Sequence, residues 1–193
     1  MSKANLLDRR AVVSGLLANR KDAIVVGGLG ASTYDMAAAG DHDRNFYLWG
    51  AMGGAVMIGL GLALAQPDLP VVVITGDGEM LMGMGSLATV ALQKPANLSI
   101  VVLDNERYGE TGGQMSHTAM AADLVGVARA CGIELVHDIT EEPTLKEFAA
   151  RLHSLNGTIF ARVAIRIEEQ MRVLPSRDGV FLKTRFRRAT GAE

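Results

Sequence analysis

The chain has 193 residues, 49% apolar and 21% charged, the composition of a globular protein rather than a disordered one. Its 21 acids against 19 Lys and Arg leave a net charge of −2, so there is no polycationic footprint for nucleic acid. A chain this long buries roughly 70% of its unfolded surface and needs no staple, so residues 1–193 are expected to form a single domain.

The lone Cys131 excludes an internal disulfide framework and fits a reducing cytoplasm. With four scattered histidines (His42, His117, His137, His153) it cannot supply a Cys/His zinc site. Glycine (22 residues) and methionine (10) are in excess, and aromatics are scarce. The first residues lack the apolar run and small-residue cleavage site of a secretory signal.

In chain order, apolar spacing over 6–17 predicts an amphipathic helix and 23–26 a short buried strand. Gly27, Gly28 and Gly30 then form a turn, and Ser32 or Thr33 can cap a helix running towards 36–39. Residues 45–67 carry no charge, and their core, GAMGGAVMIGLGLALA, is long enough for a membrane span. However, Gly50, Gly53 and Gly54 crowd its start, and FYLW at 46–49 reads as a strand. A buried helix over about 52–66 is therefore expected, with no span. LPVVVIT at 69–75 lacks alternation, as in a parallel strand covered on both faces, and ends in Gly76-Asp77-Gly78. A helix over about 83–93 follows, then the strand LSIVVL at 98–103, ending in Asp104-Asn105. Helix 123–130, strand 133–136, helix 144–153, strand 158–165 and a basic helix 179–188 complete the alternation.

Such alternation implies an α/β fold: a doubly wound, mostly parallel sheet with helices on both faces. Ligands then bind beyond the carboxyl ends of the strands, where the 27–30 turn, the 76–78 turn and the 104–114 loop share one rim. Gly76-Asp77-Gly78 sets a hard oxygen between residues without bulk, as a metal–diphosphate unit requires. Asn105, one strand–helix–strand crossover later, can offer an amide oxygen to the same ion. Taken singly, each motif is more simply an ordinary turn.

Together, GDG, 25 intervening residues and Asp104-Asn105 resemble the GDG…NN fingerprint of thiamine diphosphate enzymes, with Asp104 in place of the first Asn. The resemblance implies Mg²⁺ held by the side chains of Asp77 and Asn105 and the carbonyl of Arg107. Gly76, Gly78 and the Glu79 amide would lie along the cofactor, as would Tyr108 and Gly109. Glu79 stands where the family has Ser or Ala, and its side chain is expected to point away. Gly50-Ala51-Met52-Gly53 is similar to the segment in which an apolar side chain, here Met52, wedges between the cofactor rings. There the Gly50 carbonyl would accept from the aminopyrimidine. Met52 as ordinary core is the other reading. Gly30-Ala31-Ser32 would form a second diphosphate clamp at a helix N-terminus.

FYLWGAMGGAVMIGLGLALA, GDGEMLMGMGSLATVA, VVLDNERYGETGGQ and RDGVFLKTRFRRATG resemble the C-terminal half of sulfopyruvate and phosphonopyruvate decarboxylases. Glu110 replaces a small family residue and, on electrostatics, disfavours a substrate with a second anion or serves proton transfer. Gln114 and His117 can hydrogen-bond substrate or shuttle a proton, and His117 reads equally as a solvated loop residue. In this family an activating glutamate comes from a pyrimidine-binding domain, for which this chain has no room. A partner α subunit, in an α₂β₂ or larger hetero-oligomer, is implied, with a small 2-oxo acid as substrate. The Met80, Met82 and Met84 cluster is interface or core.

Three other functions fit the same residues. They are a carboligase or aldehyde-forming enzyme on the same cofactor, a cofactor-binding module without turnover, and a nicotinamide-binding module. For the last, Gly28-x-Gly30 follows a strand, but Thr33 occupies the place of the third Gly.

Overall fold

The structure, a computed structural model, describes residues 6–153 and 155–192. The first half runs α1 (Arg9–Leu17), β1 (Ile24–Gly27), α2 (Ala31–Ala38), β2 (Asn45–Tyr47), α3 (Ala55–Ala65), β3 (Val71–Gly76), α4 (Asp77–Met82) and α5 (Ser86–Gln93). The second half runs β4 (Leu98–Asp104), β5 (Arg107–Tyr108), β6 (Gln114–Met115), α6 (Leu124–Ala130), β7 (Leu135–Ile139), α7 (Glu142–Ala149), β8 (Ile159–Ala164) and α8 (Gly179–Ala189). Six strands form one sheet in the order β2-β1-β3-β4-β8-β7, and every pairing is parallel. β5 and β6 make a separate antiparallel hairpin over 107–115, which sequence patterning did not anticipate.

Successive strand residues face opposite sides of the sheet, and both sides are apolar. In β3, Val72 and Ile74 join the core that contains Val12, Leu16 and Phe148, from α1 and α7. Val71 and Val73 join the opposite core, which contains Leu60, Leu87 and Ala128, from α3, α5 and α6. The uninterrupted VVVIT run therefore supplies two cores at once. The expected doubly wound α/β architecture is the one observed. The charge-free 45–67 stretch is β2, a Gly-rich loop and the 11-residue α3. Among the described residues no helix is long and apolar enough to cross a membrane.

Several boundaries move for local reasons. The helix expected at 83–93 begins later, as α5 at Ser86 behind Gly85, and a separate short helix, α4, precedes it and is closed by Gly83. GDG is therefore the end of a strand and the first turn of a helix. The strand expected at 133–136 lies at Leu135–Ile139, since the Ile133 amide still bonds Ala128 O at the end of α6. Neither Ser32 nor Thr33 caps α2. Gly30, at φ 83°, takes the cap position, and Thr33 Oγ1 donates to Gly28 O at 2.8 Å. α2 is anchored from below by Asp35, which is fully buried and lies 3.1 Å from both Arg9 and Arg10 of α1.

Glycine within α3 brings helix and sheet together. A Cβ at Gly59 would lie 2.2 Å from Val73 Cγ2, and a β-branched core residue cannot swing aside. Gly59→Ala is expected to cost about 1–3 kcal/mol through overpacking. Gly15→Ala in α1, where nothing lies within 4 Å, should instead stabilise by roughly 0.5–1 kcal/mol through helix propensity. Urea midpoints of the two variants, moving in opposite directions, check both.

Candidate cofactor site

β1 connects outward to β2, whereas β3 lies on its other side and connects to β4. The carboxyl ends of β1 and β3 thus flank a topological switch point, where open α/β sheets form their ligand crevice. The turn after β1, the start of α4 after β3 and the loop after β4 all rise there.

Gly76 pairs with Leu103, so Asp77 and Asp104 are the next residues up on adjacent strands. Both are buried, at 2% and 1% exposure. Asp104 is answered by Arg162 of β8, whose Nε lies 2.6 Å from Oδ2 and whose Nη1 reaches Asp138 at 3.0 Å. Its Oδ1 accepts from the Glu106 amide and from Thr118 Oγ1. Asp77 has no cation beside it among the described residues: Ser116 Oγ donates to its Oδ2, and Thr118 Oγ1, whose one proton is shared with Asp104, lies 3.2 Å away. Burial, with the Asp104 charge added, pushes the Asp77 carboxyl up to about 6 despite those hydroxyls. Two buried carboxylates with one guanidinium between them leave this pocket short of positive charge.

Asn105 follows at once. Its Oδ1 accepts from the Arg107 amide at 3.0 Å, and left-handed Glu106, at φ 62°, turns the chain between them. A buried carboxylate, an amide oxygen and a turned backbone form a hard-oxygen set suited to a small divalent cation.

Glu79 lies at 3% exposure, its side chain folded towards the 27–30 turn in a structural role that sequence reasoning missed. Oε2 accepts from the Leu29 amide at 3.0 Å and from Thr75 Oγ1 at 2.9 Å. Burial pushes its pKa up, while Thr75 and the amides of Ala55, Leu29 and Gly53 oppose that shift. Oε1 is buried without a well-formed hydrogen bond. Gly28 is required here, because a Cβ would meet Oε2 at 2.0 Å. One carboxylate therefore joins the 27–30 turn, the end of β3 and the start of α3.

Around these acids, a Cβ at Gly78 would strike the Tyr108 ring at 2.4 Å, so this glycine makes room for protein. Nothing lies within 4 Å of a Cβ at Gly76, Gly50 or Gly109. Met52 is half-buried and belongs to neither apolar core, which removes the ordinary-core reading. Ser32 is 3% exposed, inside the first turn of α2. Tyr108 Oη and His117 Nδ1 are 3.3 Å apart, and His117 is exposed on the loop. Gln114 is exposed and bonds Thr111 through both ends of its amide. Glu110 packs against Gly30 and lies 3.4 Å from both Tyr34 Oη and Arg172. Met80 is core, whereas Met82 and Met84 are exposed.

Sequence reasoning also missed Ser116, Thr118 and Arg162. The alternating hydroxyls of Ser116-His117-Thr118 were the available signal, and an aspartate replacing a neutral amide implied a cation elsewhere. Arg162→Leu should strand Asp104 and cost about 2–4 kcal/mol, less than a fully buried pair because Arg162 is partly exposed. Asp104→Asn in the same chain should restore most of that loss, and equilibrium unfolding of the single and double variants measures the coupling. Glu79→Ala should cost about 1–3 kcal/mol by orphaning the Leu29 amide and Thr75, read in the same way.

Comparisons with known proteins agree with this arrangement. Residues 28–162 match the family described as thiamine pyrophosphate enzyme, C-terminal TPP binding domain. The chain is 37% identical over 164 residues to sulfopyruvate decarboxylase subunit beta of Methanothermobacter thermautotrophicus, covering 83% of each. It is 43% identical over 159 residues to phosphonopyruvate decarboxylase of Streptomyces viridochromogenes, which covers 82% of this chain but only 40% of the relative. Benzoylformate decarboxylase from Polynucleobacter necessarius shares the fold, with TM-score 0.71 and 23% identity over 85% of this chain and 34% of that one. The match includes the Gly28–Gly30 turn, which therefore belongs to a thiamine diphosphate domain and not a nicotinamide one. The chain belongs to the thiamine pyrophosphate enzymes, through their C-terminal cofactor-binding domain.

Proposed function

We propose that the chain is the diphosphate- and Mg²⁺-binding subunit of a two-chain thiamine diphosphate-dependent 2-oxo acid decarboxylase, resembling a sulfopyruvate decarboxylase β subunit. The carrying observation is Asp77, buried next to Asp104 with Asn105 one residue beyond and no Lys or Arg pairing with it among the described residues. The subunit reading rests on coverage: the chain spans 83% of a β-subunit relative and 40% of a single-chain one. Residues 1–193 would then be one domain of a cytoplasmic hetero-oligomer, with the activating glutamate on a pyrimidine-binding α partner.

In this reading Asp77, Asn105 and the Arg107 carbonyl hold Mg²⁺. Gly30, Ser32, Gly76, Gly78 and the Glu79 amide face the diphosphate, beside Tyr108 and Gly109. Gly50 accepts from the aminopyrimidine, and Met52, outside both cores, supports the rings. The bound cofactor supplies an electron sink for loss of CO₂. Tyr108 Oη and His117 Nδ1 can share a proton at the rim. Glu110 and Gln114 line the same loop.

Calorimetry is expected to show Mg²⁺-dependent thiamine diphosphate binding that strengthens when the partner chain is added. Asp77→Ala and Asn105→Ala should each abolish it. Retained affinity in both variants, or NADH binding in place of thiamine diphosphate binding, would overturn the assignment.

A further inference from the structure

After β8 the chain crosses the rim again, held to α1 by a hydrogen bond from Arg10 Nη2 to Met171 O of 2.8 Å. From this segment Arg172 lies over the Tyr34 ring and Arg177 over the Trp49 ring, each 5.6 Å from the centroid. The two rings are themselves 6.5 Å apart. Stacking on a ring face holds a guanidinium in place and leaves its N–H edge for an acceptor. Arg172 makes one long contact, 3.4 Å, with Glu110. Arg177 has no carboxylate partner among the described residues. Glu110 therefore stands against Gly30 at the edge of the cofactor crevice, with Arg172 beside it and Arg177 one ring further along, two oriented cations to one paired carboxylate.

We propose that Arg172 and Arg177 form an anion subsite for the distal acidic group of a 2-oxo acid, with Glu110 as the internal carboxylate that the ligand displaces. This reverses the electrostatic expectation from sequence. Glu110 alone would repel a second anion, but paired with Arg172 it marks where one binds. The substrate class rests on the decarboxylase reading above, whereas the anion subsite itself does not. A sulfonate, a phosphonate and a carboxylate share the required chemistry, and the cofactor diphosphate is the competing source of an anion here.

Trp49 is the one tryptophan of the chain and lies under Arg177, so its emission reports the subsite directly. The full chain is titrated with sulfoacetate, phosphonoacetate, malonate and acetate at constant ionic strength. A saturable change is expected with at least one dianion and not with acetate. Arg172→Ala and Arg177→Ala should each weaken it about tenfold, the loss of one charge-assisted contact, and Glu110→Ser should strengthen it. Equal responses to acetate and dianions, or dianion responses unchanged in both arginine variants, would overturn the proposal. So would a loss of Mg²⁺–thiamine diphosphate affinity in those variants with the dianion response intact, which would assign the arginines to the cofactor. In the assembled two-chain enzyme, both variants should raise KM for a dianionic 2-oxo acid about tenfold more than KM for pyruvate. Absence of turnover with every 2-oxo acid would count against the decarboxylase reading alone, because the emission titration decides the subsite independently.

Discussion

Asp77, Glu79 and Asp104 sit at the carboxyl ends of β3 and β4 with no more than 3% of any of them exposed. Removing an ionised carboxylate from water costs several kcal/mol unless its charge is answered, and each of the three is answered differently. Asp104 has a guanidinium, Arg162, which a second acid, Asp138, holds in turn. Glu79 has backbone amides and a threonine hydroxyl. Asp77 has hydroxyls and a like charge one strand away, and burial pushes its carboxyl up to about 6. The unmet demand at Asp77 gives the rim its chemical direction.

The sheet order explains why these groups meet. β1 and β3 are adjacent, but their connections leave in opposite directions, so the crevice between their ends is not roofed by a crossover. Glu79 spans it from the second residue after Asp77, reaching back to Leu29 and Thr75. Such a reach needs bare backbone opposite, which Gly28 provides. The polar centre and the glycine excess are thus one device, because close-packed backbone is what allows a carboxylate to find amide partners below the surface.

The alternation of strands and helices was legible because β3 and β4 are unbroken apolar runs with turn residues at both ends. Their register then follows from chain connectivity. The placing of Asp77 and Asn105 on one rim was legible for the same reason, each residue lying just past the end of a core strand. What escaped depended on contacts between segments distant in sequence. Arg162 is 58 residues from Asp104, and no local pattern marks an arginine within a strand as the partner of a buried acid. Glu79 was seen as an anomaly beside a diphosphate site, but its amide partners lie on two other loops and carry no side-chain signal. The hairpin of β5 and β6 has strands of two residues each, too short for alternation to register.

Asp104, Glu79 and Glu110, the acids that stand out in the sequence resemblance, all add negative charge to the rim, yet each comes with its own compensation. Arg162 answers the first, backbone amides the second and Arg172 the third. The first two compensations lie beneath the rim and are permanent, since a buried pair cannot part without stranding a charge. The third is at the surface, where Arg172 is 62% exposed and Glu110 36%, and a pair like that is held by about 1 kcal/mol at most. Rigid acids therefore shape the floor of the crevice, while the exchangeable pair sits at its mouth. That division suits a site whose floor must exist before any ligand arrives and whose mouth must yield to one.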